Sequence, residues 1–421
     1  MNQRICAAIV LWGIAGIAAA APEPYRTIPV EPLEAEPPLK VGGVEVTYGG
    51  YIKLDALYSY FSDGDVASQD AGRDYFRPAS IPVAGSALSE DAHSFLDFHA
   101  KDTRFFFKTK SQIAGHELAG NLELDFRSVP GGASEVVTNA YNPRLRRAFL
   151  TYDRWLLGQE WSLMRNLDAS PDHIDDIRGP SEALVVVRQP QVRATFGDFQ
   201  VALENAETNV LPRTGTLNGA TPVTATFVTG DAETPDLSAR YNLKTSFGAY
   251  SAAVVLRQLQ ADGAATGGDA PNNAVDGTAF AFGVNVSGKL PAFGQDDVRF
   301  ALTGGDGVGR YVGLATIPDA VVDADNGLEP IPAFAGYVSY RRVWGARWRS
   351  TATVAALGAD NPTDLTGTDV THAVESAHAN LLFSPVDKLT FGLEAMHAVR
   401  ELENGQDGAL SRLQFSSKYE F

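Results

Sequence analysis

The feature that most constrains this 421-residue chain is a rhythm of short alternating segments. Stretches of about ten residues switch between apolar and polar side chains at every step, the period of an extended strand rather than a helix. "GYIKLDALYSYF" sets Ile52, Leu54, Ala56, Tyr58 and Tyr60 against Lys53 and Asp55, and "LAGNLELDFR" sets Leu122, Leu124 and Phe126 against Asn121, Glu123, Asp125 and Arg127. The pattern predicts roughly sixteen strands, near 48–61, 102–113, 118–127, 144–153, 154–162, 190–197, 199–206, 237–245, 246–259, 278–288, 297–304, 335–343, 346–357, 373–383, 387–400 and 411–421. Connections after odd-numbered strands are long (62–101, 128–143, 163–189, 207–236, 260–277, 305–334, 358–372 and 401–410), whereas those after even-numbered strands are mostly tight turns such as "AGHE", "GD", "WG" and "SPV".

A sandwich or propeller has many strands, but nothing in its physics makes every second connection long. A transmembrane antiparallel β-barrel of 16 strands does have this form, with short periplasmic turns and long external loops. Closure pairs every backbone donor and acceptor, so no sheet edge meets hydrocarbon. The all-β reading fits a composition with 40 glycines and 10% aromatic residues. Trp155, Trp161, Trp344, Trp348, Tyr419 and Phe421 lie near strand ends, where interfacial aromatics belong. The segment 411–421 is expected to pair with the first strand and close the barrel.

The start of the chain points to export. "MNQRICAAIVLWGIAGIAAAAPEP" has a positive residue, a short apolar run and a small-residue cleavage site, so residues 1–20 read as a cleaved signal peptide. The one cysteine, Cys6, lies within it, leaving no thiol for a disulfide or a Cys–metal site. Residues 21–43 are rich in proline and acid and read as a periplasmic leader, with the barrel over 44–421.

The formal charge of −17, with no basic run, excludes nucleic acid as a general partner. A Lys or Arg facing lipid at mid-membrane costs about 2–4 kcal/mol, so the charged face of each strand must point into the lumen. Arg104, Lys108, Lys110, Arg193, Arg240, Arg299, Arg347 and Arg349 are then expected to line a pore, together with Lys53, Arg127, Lys244 and Arg257. Inward acids are fewer: Asp55, Glu123, Asp125, Glu204 and Glu394. A basic lumen favours anions, because charged rings set the barrier each ion meets. It also disfavours a channel for hydrophobic solutes. The third long connection, about 163–189, is the candidate constriction, carrying Asp168, Asp172, Asp175, Asp176 and Arg178.

Two stretches resemble the DcaP-like porins of Gram-negative outer membranes: "RRAFLTYDRWLLGQEWSLM" (146–164) and "IRGPSEALVVVRQPQVRATFG" (177–197). The shared features are Gly158, Gln159, Trp161 and Ser162, the Gly179–Pro180 pair, and Arg188, Gln189 and Pro190 followed by Arg193. The resemblance implies a sixteen-stranded trimeric barrel, bathed in outer-membrane lipid and lipopolysaccharide, that passes small anions such as dicarboxylates. No cofactor is expected, and the seven histidines show no metal-ligand spacing such as HExxH. The competing class is a barrel enzyme of phospholipase type, for which His378 and His397, with Ser376 nearby, are the candidate residues; a general porin without anion preference is the other alternative.

Overall fold

The computed structural model describes residues 39–67, 70–85, 91–127, 141–175, 177, 179–213, 232–263 and 275–421. The signal peptide, most of the leader, Asp176 and Arg178 therefore lie outside the described residues.

The alternating segments form one antiparallel sheet that closes on itself. Its strands are β1 (Val44–Phe61), β2 (His93–His99 and Arg104–Ile113), β3 (His116–Asp125), β4 (Arg144–Tyr152), β5 (Trp155–Trp161), β6 (Arg188–Phe196), β7 (Phe199–Glu204) and β8 (Asp236–Thr245). They continue as β9 (Gly248–Gly263), β10 (Val275–Pro291), β11 (Asp297–Asp306), β12 (Pro332–Val343), β13 (Trp348–Ala359), β14 (Thr371–Val386), β15 (Leu389–Leu402) and β16 (Asp407–Glu420). Each pairs with its chain neighbours, and β1 pairs with β16 through Tyr51–Glu420 to Phe61–Leu410, which seals the barrel. Phe421 continues the seam by exchanging backbone hydrogen bonds with Gly50.

Two details depart from the sequence reading. The second strand begins earlier than expected: His93–His99 pairs with the upper half of β1 and Arg104–Ile113 with its lower half, so the two pieces are one barrel strand interrupted at residues 100–103. In its upper half Leu96 and Phe98 turn out to the membrane side while Asp97 and His99 turn in, so the strand takes in the end of the expected loop 62–101. The end of the leader also has structure: Leu39–Val41 folds back on Val44–Val46 as a short hairpin.

Alternation decides which face meets lipid. Along β1, Lys53, Asp55, Leu57, Ser59 and Phe61 are buried inside, while Ile52, Leu54, Tyr58 and Tyr60 are exposed outside. The same outward belt continues through Phe98, Leu302, Phe334, Val338, Leu393 and Phe415. The tight turns need left-handed backbone, as at Ala114 (φ 52°) and Gly115 (φ 88°), which reverse the chain in two residues. Among the described residues no helix is long and apolar enough to cross a membrane.

The long-loop half of the barrel is not an open tube. Phe76 and Ile81 from the first loop, Leu184 from the third, and Val308, Ile317, Val321 and Ile331 from the connection before β12 pack with inward residues Phe61, Leu357, Val374 and Leu410. Residues 210–211, 320–322 and 328–330 add a small separate sheet. Apolar packing inside a barrel is what lets loops stay there, because each polar backbone group they carry inward must be repaid by a partner.

Candidate functional site

The site begins at the neck of the third loop. Ser162 N–H donates to Val187 O at 3.1 Å, closing the base of the loop between β5 and β6. The residues shared with the DcaP-like porins build this neck. Gly158 (φ 130°) brings its backbone so near β4 that a Cβ would lie 2.3 Å from Ala148 O, so no larger residue fits. Gln159 donates to Arg146 O at 3.0 Å, Ser162 Oγ accepts from Met164 N–H at 3.1 Å, and the Trp161 ring lies under the guanidinium groups of Arg165 and Arg188. Gln189 donates to Glu204 Oε2 at 2.5 Å.

From the neck the loop enters the lumen and travels along the wall. Arg240 on β8 donates to Arg165 O, Asn166 donates to Ser287 on β10, and Arg299 on β11 donates to Ser170 O. Tyr337 on β12 donates to Ala169 O at 2.8 Å. Arg349 on β13 donates to Asp172 Oδ2 at 2.7 Å, and Asn380 on β14 to Asp172 O at 2.8 Å. Glu394 on β15 accepts from Ile174 N–H at 3.1 Å, and Lys53 on β1 donates to Ile174 O at 2.7 Å. Ser376 on β14 donates to Glu182. Seven residues of loop thus contact wall strands from β8 round to β1.

The loop acids have distinct fates. Asp172 is half-buried; burial pushes its carboxyl up, but the Arg349 guanidinium, with Arg299 and Arg341 farther off, outweighs this and holds it below the ordinary range. Asp175 is buried and accepts from Phe76 N–H and Ile177 N–H; there burial wins and pushes the carboxyl up in spite of Arg127. Glu182 is fully buried and is likewise pushed up by burial. Asp168 is exposed and lines a cavity. The expected picture of acids facing a basic wall across open space is thus altered at Asp172, which touches that wall.

The expected pore-lining cations divide into three groups. Arg104 lies 3.6 Å from Glu123, Arg299 2.7 Å from Asp297 and Arg349 2.7 Å from Asp172, so all three are balanced by acids of the wall or the loop. Lys108 and Lys110 are exposed near the turn at 114–115, where Lys110 pairs with Glu117 at 2.9 Å, and Arg347 is exposed in the turn after β12 rather than on a strand. Arg193 and Arg240 are the third group. Arg193 donates to Gln191 Oε1 at 3.0 Å and to Trp161 O at 2.5 Å; Arg240 donates to Gln200 Oε1 at 2.6 Å and to Arg165 O at 2.8 Å. Among the described residues neither forms a salt bridge. Both border a cavity of about 290 Å³ with Arg165, Lys244, Glu160, Asp168 and Asp198.

Sequence reasoning missed a ladder on the first wall strands. Arg146 donates to Glu123 at 2.8 Å and Asp125 at 2.5 Å, Arg144 grips Asp125 with two bonds at 2.8 and 2.7 Å, and Arg147 pairs with Glu160. Strict alternation would send one of two consecutive arginines into lipid. A register shift beside Glu123 inserts an extra residue and breaks that alternation.

The residues weighed for an enzyme separate. Ser376 and His378 are hydrogen-bonded at 3.0 Å but buried beneath the loop, facing the lumen. His397 faces outward and its Nδ1 lies 2.9 Å from Ser411 Oγ. Among the described residues no carboxylate bonds to the His397 ring, whereas Glu394 lies 3.7 Å from Nδ1 of His378.

This architecture recurs in solved proteins. The outer membrane channel DcaP of Acinetobacter baumannii superposes with a TM-score of 0.71 at 20% identity, the match covering 91% of this chain and 100% of that one. OmpT of Vibrio cholerae, expressed in the outer membrane, superposes with a TM-score of 0.51 at 9% identity over 91% of this chain and 100% of that one. At such identities the likeness speaks for the fold. No relative among curated proteins matches. The family model described as DcaP outer membrane protein, however, matches residues 33–421. This β-barrel, whose family-like residues build the neck of its inward loop, belongs to the DcaP outer membrane protein family.

Proposed function

We propose that the chain is a passive diffusion channel that favours small anionic solutes of dicarboxylate type, with no covalent chemistry. The observation that carries this reading is the pair Arg193 and Arg240, whose hydrogen bonds go to uncharged acceptors while both border the cavity of about 290 Å³. A guanidinium without a paired carboxylate keeps its field for whatever enters, and a low-dielectric wall focuses that field on an anion. Asp168 on the inward loop borders the same space and orients a dipolar solute as it passes. As the resemblance to the DcaP-like porins implies, the barrel is proposed to assemble as a homotrimer in the outer membrane after removal of its signal peptide, with lipid and lipopolysaccharide against the apolar belt.

The same cavity also carries Glu160, Asp168 and Asp198, which supports a second reading, a general porin without ionic preference. Reversal potentials in planar bilayers under a salt gradient separate the two. A clear shift toward the anion equilibrium potential is expected; a value near zero favours the general porin, and a cationic shift or no conductance overturns the proposal.

A further inference from the structure

Three side chains that no stretch of sequence groups together meet under the inward loop. His173 comes from the loop, His378 from β14 and Glu394 from β15, and one nitrogen or oxygen of each lies within 4.8 Å of the others. All three are buried. His173 Nδ1 is 2.8 Å from Glu394 Oε2, and His378 Nδ1 is 3.7 Å from Glu394 Oε1, the latter beyond hydrogen-bond reach.

The outer nitrogens of both rings are engaged. His173 Nε2 lies 2.7 Å from Thr353 Oγ1, and Thr353 donates its own hydrogen to Ser339 at 2.8 Å. His378 Nε2 lies 3.0 Å from Ser376 Oγ, and Ser376 donates its hydrogen to Glu182. With each hydroxyl hydrogen committed elsewhere, each ring donates its Nε2–H and turns the Nδ1 lone pair toward Glu394. Two imidazole lone pairs and a carboxylate then converge on one point, an arrangement that asks for a cation at the centre. Ring orientation by hydroxyls, one of them backed by a carboxylate, is the outer support that metal-binding histidines ordinarily have.

We propose that His173, His378 and Glu394 form a divalent transition-metal site of the zinc class that staples the inward loop to the barrel wall. Two His and one Glu is a zinc donor set, whereas two nitrogen donors disfavour calcium and magnesium. Ligands around tetrahedral zinc sit about 3.3 Å apart, so shifts of about an ångström complete the set. His173 also borders a cavity of about 60 Å³ with Thr390, Ser416 and Lys418, which lie toward the short-turn end and offer a path of entry and room for a fourth ligand. A bound ion would tie residue 173 to two wall strands at once and make the position of the constriction depend on metal supply.

The test uses the full chain in detergent micelles, stripped with a chelator and then titrated with Zn²⁺ in competition with a chromophoric chelator, and separately with Co²⁺. One Zn²⁺ per chain and the visible bands of four- or five-coordinate cobalt are expected. His378→Ala and Glu394→Gln should each weaken binding at least about tenfold, and Thr353→Val by about tenfold, the scale of outer-shell losses. His116→Ala, which removes an exposed histidine near a turn, should leave it unchanged. Heat-modifiable gel mobility reports whether each variant is folded; where one is not, the cobalt spectrum of the unaltered chain decides. No cobalt bands, or Zn²⁺ binding unchanged by His378→Ala, overturns the site in favour of proton sharing alone. Binding is read without current, so its failure leaves the channel reading untouched, and the reverse.

Discussion

The two sides of this barrel satisfy their inward charges in different ways. On β3–β5 the wall answers itself: Arg144, Arg146 and Arg147 pair with Asp125, Glu123 and Glu160 on neighbouring strands. On β11–β15 much of the answer comes from the loop, as Arg299, Tyr337, Arg349, Asn380 and Glu394 bond to residues 169–174. A wall whose partners lie in its own plane leaves the space in front of it free, whereas a wall whose partners sit on a loop holds that loop against itself. The cavity of about 290 Å³ accordingly opens beside β5–β9 and the start of the loop.

The largest change should come from cutting the loop away from the second side. Glu394→Ala removes the carboxylate beside His173 Nδ1 and the acceptor of Ile174 N–H and Asn380 Nδ2, a loss on the order of 3 kcal/mol from the docked state. Single-channel conductance should rise at least about twofold; unchanged conductance would mean that the loop is held by its apolar contacts instead. Next in size is the double substitution Arg193→Ala and Arg240→Ala, which strips the unpaired guanidinium groups from the cavity. Reversal potentials should move toward the cation value, and an unmoved potential would place selectivity elsewhere.

A smaller effect concerns pH. The folded pKa of Asp172 is depressed, so the stability its pair with Arg349 adds is fully present above the ordinary carboxylate range and is lost only as pH falls through the lower folded value. The Asp172 component of conductance and selectivity should stay constant from neutral pH through the ordinary carboxylate range and change only below it, and Asp172→Asn should abolish this acid-side component. A change already complete at pH 5 would point to another group. Last is Lys110→Ala, which removes an exposed pair with Glu117. Thermal unfolding in detergent should register less than about 1 kcal/mol, and a larger loss would show the rim to be part of the wall's internal bonding.

The rhythm of strands and connections was readable because a barrel in lipid leaves few alternatives. Charges must turn inward and apolar residues outward, and each step along the chain records the choice, as β1 does from Tyr51 to Phe61. That residues 163–189 form a long connection was readable too. Its docking was not, because Asp172, His173 and Ile174 find partners some two hundred residues away, beyond any local pattern. Arg146 and Arg147 were hidden for a different reason: a bulge breaks the alternation on which the reading depended. Arg347 obeyed the alternation yet fell in a turn, because periodicity says which face a residue takes and not where the strand begins.

By itself, then, the sequence determined a closed antiparallel barrel with an apolar exterior, since hydrocarbon penalises every unpaired backbone group and every misplaced charge within a few residues of where it occurs. The tertiary structure decided which inward charges remain unpaired. That depends on which loop atoms reach which strand, and only the folded chain brings Gln191, Gln200 and Trp161 to two arginines in place of a carboxylate.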